Sequence, residues 1–367
     1  MDKQQLIAAI HDAPGKFVIA ATGGGSSATS ALLGLPGASR TVIESTVPYD
    51  PASLAAYIGG TPDQACSGKT ARSLAMASFQ RAHRYEPDER IVFGIGCTAA
   101  LTTDRERRGS DRCFVAIQSI TETVEFELHL SRHHRDRASQ EGACADLILH
   151  AMAHCCELDP PSLRLMDDER LERREQQGQP EWVELYRHTR EYTSLGDRAP
   201  RVIFPGAFNP LHDGHRAIAR LAEARTGGPV VLEVSAYNVD KPALDYIEMA
   251  AREQGIAHEF PLTFTNAPTF TIKASLFPGT LFAVGSDTLA RIGEPRYYHD
   301  SHELRDIAIR SMADRGIRFL VFGRAENGCF TGLDEITVPP LLRQISDGVP
   351  ESEFRVDVSS SEVRRGQ

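Results

Sequence analysis

The sequence has no run of about 18 apolar residues, the length a membrane-spanning helix requires, so no transmembrane segment is expected. Its first residues also lack a clean secretion signal, because Asp12, Pro14 and Lys16 interrupt the apolar stretch. No Cys-x-x-Cys pair occurs. The seven cysteines are odd in number and scattered, which disfavours a disulfide framework and suits a reducing, cytoplasmic setting. His154 stands beside Cys155 and Cys156 but has no second ligand pair at zinc spacing, so one buried helix face is expected there and no metal site. An excess of basic charge is missing too. Lys+Arg number 40 against 50 Asp+Glu, a net charge of −10, which argues against nucleic-acid and anionic-membrane binding. No internal repeat or low-complexity tract stands out.

The 367 residues, 41% hydrophobic and 25% charged, fit two soluble globular domains. Residues 1–158 alternate strand-like and helix-like runs. Strands are expected at Lys16–Ala21, Thr41–Val47, Arg90–Ile95, Cys113–Ile120 and Val124–Leu130. Helices are expected at Pro51–Ile58, Gly68–Tyr85 and Ser139–Cys156. A breaker, Asp159-Pro160-Pro161, opens a charged stretch over residues 159–199, expected to be a solvated helical linker. Within it Trp182, Leu185 and Tyr186 have helical spacing and should pack on a domain surface. Residues 200–367 read as a second α/β domain. Strands at Arg201–Phe204, Pro229–Ala236, Leu281–Val284 and Arg318–Phe322 are separated by helical runs, implying a parallel sheet with ligands at its C-terminal edge.

Gly206-Ala207-Phe208-Asn209-Pro210-Leu211-His212-Asp213-Gly214-His215 follows the first strand of that domain and opens a helix. A helix N-terminus presents unpaired N–H groups and about half a positive charge, which attract phosphate. Gly206 and Gly214 let the backbone approach a ligand. Two histidines three residues apart can both donate an N–H to one phosphoryl group as charge grows on it. At the other end of the domain Val358-Ser359-Ser360-Ser361-Glu362-Val363-Arg364 offers clustered hydroxyls, backbone donors and a forked cation.

These two stretches, about 150 residues apart or one domain's length, resemble the GxFxPxHxGH and ISSTxIR signatures of the nucleotidylyltransferase superfamily. The resemblance implies a Rossmann-like fold in which the Ser359–Ser361 turn and Arg364 hold the ATP β- and γ-phosphates. Gly285-Ser286-Asp287 is similar to the Gly-x-Asp turn of the nicotinate and nicotinamide mononucleotide adenylyltransferases, which contacts the adenosine ribose. Lys241-Pro242 occupies the place of a family element near the α-phosphate, and Thr269-Phe270-Thr271-Ile272-Lys273 is similar to that family's Tyr-Thr-Ile stretch. Where the family carries a stacking tryptophan this chain has Tyr297 and Tyr298.

Residues 6–119 resemble the C-terminal domain of competence-damage-inducible (CinA-type) proteins, whose bacterial members deamidate nicotinamide mononucleotide. The matching stretches are Ala21-Thr22-Gly23-Gly24-Gly25-Ser26, Leu35-Pro36-Gly37-Ala38-Ser39 and Val47-Pro48-Tyr49. The resemblance implies a ligand site at Thr22–Ser26 and Tyr49, with backbone N–H groups available to cradle phosphate. The family's serine appears as Thr22 and its lysine as Leu54, so the base that an attacking hydroxyl needs is gone. A catalytically degenerate domain is expected.

The combined expectation is an enzyme that transfers AMP from ATP to a nicotinate- or nicotinamide-mononucleotide-like acceptor and releases pyrophosphate. His212, His215, Lys241 and Arg364 are its catalytic candidates. Gly206, Ala207, Phe208, Asn209, Gly214, Gly285, Asp287 and Ser359–Ser361 are its nucleotide-binding candidates. Mg²⁺ bound through the phosphates is the implied cofactor. ATP and a small phosphorylated substrate are the implied partners, and homo-oligomers are compatible with the sequence. The alternatives are cytidylyl transfer to a phosphorylated small molecule and a non-catalytic pyridine-nucleotide sensor.

Overall fold

The computed structural model describes all residues except 88–90, 105–108, 197–198, 238–242, 327–328 and 356–367, and only the backbone of Glu326. The chain divides into two compact α/β units. The first is Met1–Tyr186 with Asp240–Glu248, and the second is Arg187–Val239 with Met249–Gln367. Among the described residues no helix is long and apolar enough to cross a membrane.

The first unit runs α1 (Lys3–Asp12), β1 (Lys16–Thr22), α2 (Ser27–Leu33), α3 (Ala38–Thr41), β2 (Val42–Thr46), α4 (Pro51–Ile58), α5 (Gly68–Tyr85), β3 (Val92–Ala100), β4 (Asp111–Gln118), β5 (Glu122–Leu130), α6 (Arg137–Cys155), β6 (Arg170–Gln177) and α7 (Pro180–Tyr186). Its sheet has the order β2-β1-β3-β4-β5-β6. The β2-β1-β3 part is parallel, and the rest is antiparallel. One face buries Leu6, Ile10, Phe17, Leu32, Ile148 and Met152 under α1, α2 and α6. The other buries Leu54, Ile58 and Leu74 from α4 and α5 against Ala20.

The stretch expected to be a helical linker is instead β6, which pairs with β5 along its length. Its residues are nearly all exposed. Main-chain bonding holds such an edge strand, and side chains such as Arg170, Glu172, Arg173 and Arg174 blunt the free edge against further pairing. Trp182 and Tyr186 of α7 do pack, but into a core. Trp182 is 1% exposed and stacks on Tyr246 at 6.2 Å, while Tyr186 meets Tyr246 edge-on at 5.4 Å. Tyr246 belongs to the returning segment of this unit and donates its hydroxyl to the Ile120 carbonyl at 2.6 Å. The same segment supplies Asp245 (2.9 Å) and Glu248 (3.1 Å) to the buried guanidinium of Arg72, which Glu125 also accepts from.

The second unit contains β7 (Val202–Pro205), α8 (Asp213–Thr226), β8 (Val230–Ser235), the residues from Met249 onward of α9 (Tyr246–Ile256), β9 (Leu262–Thr265), α10 (Phe270–Leu276), β10 (Leu281–Gly285), α11 (Ser286–Ile292), a 3-10 turn at Pro295–Tyr298, α12 (His302–Asp314), β11 (Arg318–Phe322), β12 (Arg324–Glu326), β13 (Cys329–Thr331), α13 (Pro340–Gln344) and β14 (Ser346–Val349). Six strands form one sheet in the order β14-β11-β10-β7-β8-β9, and every pairing is parallel. Apolar strands such as Val202–Phe204 and Val230–Leu232 are covered on both faces, as a parallel sheet requires. This is the expected Rossmann-like layering. After β7, β8 and β9 the chain returns to place β10 on the other side of β7. Strand order therefore reverses between β7 and β10, and such a reversal point, at the C-terminal strand ends, is where open parallel sheets bind ligands.

Candidate functional site

The loop Gly206–His212 leaves β7 at that reversal and ends at α8. Gly206 N–H donates to the Glu233 carbonyl of β8 at 2.9 Å, which fixes the start of the loop to the sheet. Phe208 turns its ring inward, 3% exposed and with φ of +43°, edge-on to Phe204 at 5.1 Å. This ring explains Gly206 differently from the sequence expectation. A Cβ at Gly206 would lie 2.6 Å from the Phe208 ring, so the glycine makes room for the loop's own anchor as much as for a ligand. Ala207 is exposed and Asn209 half-buried. Beneath the loop, Arg252 is buried and donates to the Ala207 carbonyl at 3.3 Å. No spacing in the sequence marks Arg252, because its partner lies 45 residues away.

His212 is the N-cap of α8, and Gly214 and His215 lie in its first turn. The two imidazoles stack with centroids 3.6 Å apart and planes 24° from parallel. The His212 backbone N–H donates to His215 Nδ1 at 3.3 Å. That bond fixes the neutral tautomer of His215 with its proton on Nε2, leaving Nε2–H as the donor a ligand would meet. Phe208 and Phe204 close edge-on against the same ring at 4.9 and 6.1 Å. Burial depresses both histidines. His215 is brought to about 3 by burial first, then by His212 and Arg216. His212 is lowered by burial, with Arg216 adding to the effect and Asp213 opposing it. Both rings are therefore neutral hydrogen-bond donors near pH 7. Arg216 itself is held by Glu259 at 2.7 and 2.8 Å.

The second motif arrives on the neighbouring strand. β10 pairs with β7 as Leu281↔Val202 and Phe282↔Ile203, and the same register carried onward sets Gly285 level with Gly206. Asp287 is exposed in the first turn of α11, with its carboxylate folded toward Gly285. Ser286 points away and donates to the Thr331 carbonyl at 2.8 Å. Tyr297 and Tyr298 already have partners within the unit. Two guanidiniums lie over the Tyr297 ring, Arg296 at 4.7 Å and Arg291 at 5.5 Å, and Tyr298 donates to the Ile292 carbonyl at 3.0 Å. Lys241, Ser359, Ser360, Ser361 and Arg364 lie outside the described residues.

The glycine-rich turn of the first unit contrasts with this loop. The end of β1, Thr22, is buried, and the turn Gly23–Ser26 leads into α2. Gly23 has φ of +77°, and a Cβ there would stand 2.0 Å from the Ala99 carbonyl oxygen. The expected phosphate cradle is already filled. Glu141 of α6 accepts from Gly25 N–H at 2.6 Å, Ser27 N–H at 3.0 Å and the Ser26 hydroxyl at 3.1 Å. Arg137, one turn earlier, donates to the Gly23 carbonyl at 3.0 Å. Burial alone would raise the Glu141 carboxyl, but the N–H groups of Ser27 and Gly25 outweigh it and hold it below the usual range. Leu54 is 3% exposed in the α4–α5 core, and Tyr49 is 64% exposed.

Among the described residues one group could hold a metal ion, Glu127, His129 and Glu172 on β5 and β6. A guanidinium already supplies the cation there, since Arg170 lies 3.1 Å from His129 Nε2 and donates to Glu172 at 2.8 Å.

Residues 203–366 match a family model described as cytidylyltransferase-like, so this part of the chain carries a domain of the nucleotidyltransferase superfamily. No curated protein matches the chain. Solved structures similar to its N-terminal part include the competence/damage inducible protein CihA from Agrobacterium tumefaciens, at 16% identity over 41% of this chain and 94% of that one, with a TM-score of 0.36. A competence or damage-inducible protein from Enterobacter asburiae aligns at 15% identity over 41% and 95%, with a TM-score of 0.34. A competence-damaged protein (CinA) superfamily member from Escherichia coli aligns at 16% over 41% and 84%, with a TM-score of 0.30.

Proposed function

We propose that the second unit transfers AMP from ATP to the phosphate of a nicotinate- or nicotinamide-mononucleotide-like acceptor. The observation that carries this reading is the pairing of two motif loops, Gly206–His215 and Gly285–Asp287, at adjacent strand ends where strand order reverses.

An acceptor phosphate oxygen attacks the α-phosphorus in line. The new O–P bond forms as the α–β bridging bond breaks, and the electron pair leaves with pyrophosphate. No side-chain nucleophile is needed, so catalysis rests on positioning and on meeting the developing charge. His215 Nε2–H and His212 donate to the α-phosphate oxygens. Asp287 accepts from the ribose hydroxyls. Lys241, the Ser359–Ser361 turn and Arg364 are assigned to the phosphates on their family positions. The described loop offers donors and only one carboxylate, the exposed Asp213. This suits Mg²⁺ held chiefly by the phosphates themselves, where it would neutralise their charge.

A second reading, cytidylyl transfer from CTP to a phosphorylated small molecule, is favoured by the description of the matching family model. For the first unit we infer a shape kept without amidase chemistry, since a core leucine stands at the base position and a carboxylate fills the turn. Incubating the full chain with Mg-ATP or Mg-CTP and a panel of mononucleotides, then weighing the products, separates the readings. A dinucleotide formed from a pyridine mononucleotide with ATP is expected. Pyrophosphate released only with CTP would replace the first reading by the second.

A further inference from the structure

Among the described residues, the second unit exposes three large apolar side chains, Ile272, Leu304 and Ile307, and two of them lie one turn apart on α12. This helix turns Ile309 and Met312, both 0% exposed, into the core. At about 100° per residue the outward face carries Glu303, Leu304, Ile307, Arg310, Ser311 and Asp314. Leu304 is 45% and Ile307 58% exposed. Single exposed apolar residues are ordinary on a protein surface. What sets this face apart is the charge around them.

Glu303 and Arg310 stand two turns apart on one side of Ile307, and Leu304 and Ser311 stand on the other. Among the described residues neither Glu303 nor Arg310 has an ion-pair partner, whereas Arg305 on the inner side lies 2.7 Å from Asp306. A helix face with an acid before its apolar centre and a base after it complements itself when reversed. In an antiparallel pair about a twofold axis beside Ile307, the rise of about 1.5 Å per residue sets Glu303 within about one residue of the level of the partner's Arg310, twice over. On the other side Leu304 meets the partner's Ser311, a large side chain against a small one, and the two Ile307 side chains close the middle. Exposed Asp314 falls at the end of the seam. A parallel pair would set each Glu303 beside the partner's Leu304 and leave all four charges unmatched.

We propose that α12 is an isologous docking surface for a second copy of this chain, with Ile307 at its centre and two Glu303–Arg310 pairs along one side. A seam one helix long buries less than the roughly 800 Å² per partner of a standard interface, so the dimer is reversible, with a dissociation constant on the order of tens of micromolar.

Sedimentation velocity of the full chain, at concentrations on either side of that value, tests the proposal. The wild type should pass from monomer to dimer as concentration rises. Ile307→Glu replaces an exposed side chain, so circular dichroism and melting should stay as in the wild type. Association should weaken by about tenfold or more, because two carboxylates would then meet at the centre of the seam. Glu303→Arg alone brings like charges together twice and should weaken association about tenfold. Glu303→Arg/Arg310→Glu should restore it to within about threefold of the wild type. A chain that stays monomeric throughout would overturn the proposal and leave this face to another partner. A dimer indifferent to Ile307→Glu, or a double variant that associates no better than Glu303→Arg, would overturn it as well.

Discussion

The two units each carry a strand, a glycine-bearing turn and a helix, yet the turns treat anions in opposite ways. In the first, Glu141 reaches in from α6 and satisfies Gly25, Ser26 and Ser27. In the second, aromatic rings and the buried Arg252 brace the loop from below, and the stacked histidines are kept neutral. The lesson is that a glycine-rich turn after a strand specifies a backbone shape and not a ligand. What decides its use is whether the protein supplies its own acceptor. Glu141 reaches the turn from 116 residues away, and nothing near Gly23–Ser26 in the sequence announces it.

The sharpest way to break the comparison is at the open loop. Replacing His215 by alanine should lower turnover by about 10²–10³-fold, the usual loss of one donor to developing charge, with the far-ultraviolet circular dichroism unchanged. Single-turnover assays with mass detection would read this, and near-wild-type turnover would remove His215 from the chemistry. At the closed turn, Glu141→Ala should leave donors unmet and cost about 1–3 kcal/mol of stability. Urea unfolding followed by Trp182 fluorescence would report it, because that tryptophan lies in the first unit's core. An unchanged midpoint would show that water serves the turn as well as Glu141 does.

Acid should separate the units further. His215 and His212 are depressed in the fold, so the unfolded chain binds more protons below its ordinary imidazole pKa of about 6.5. Stability of the second unit therefore falls as pH drops from about 6.5 toward 3. Glu141 is depressed as a carboxylate, so its contribution is complete above about 4.5 and is lost only as pH falls further. Hydrogen exchange at pH 7, 5.5 and 4 should show protection lost first around α8 and later around the glycine-rich turn. The reverse order would contradict the assignment. The smallest effect is expected at Tyr49. Exposed as it is, its replacement by alanine should change the melting free energy by less than about 0.5 kcal/mol. A larger shift would show that this side chain has a role its exposure does not reveal.

Local pattern carried much of this architecture. Pro51–Ile58 and Gly68–Tyr85 have capping residues before them, Asp50 and Ser67, and apolar faces at helical spacing, so their bounds are readable from the sequence. The parallel strands of the second unit are short apolar runs between helices, equally plain. β6 escaped because an exposed edge strand of Arg, Glu and Gln has no apolar alternation. Its signal is the vacant edge of β5, which exists only once the sheet is built. β9 and β14 escaped as four-residue strands, too brief for periodicity to speak. In the site, the histidine loop was legible because its residues are contiguous. Arg252 and Glu233 were not seen as partners of the loop, because the bonds joining them to it span tens of residues.

The return of Asp240–Glu248 to the first unit has a practical consequence for anyone cutting this chain in two. A fragment ending at Tyr186 would lack Tyr246, the ring on which Trp182 lies, and would leave Arg72 with one carboxylate out of three. Severed at its obvious midpoint, the polypeptide would yield an N-terminal piece with a gap in its own interior, and that gap could be filled only by adding back a peptide from the other half.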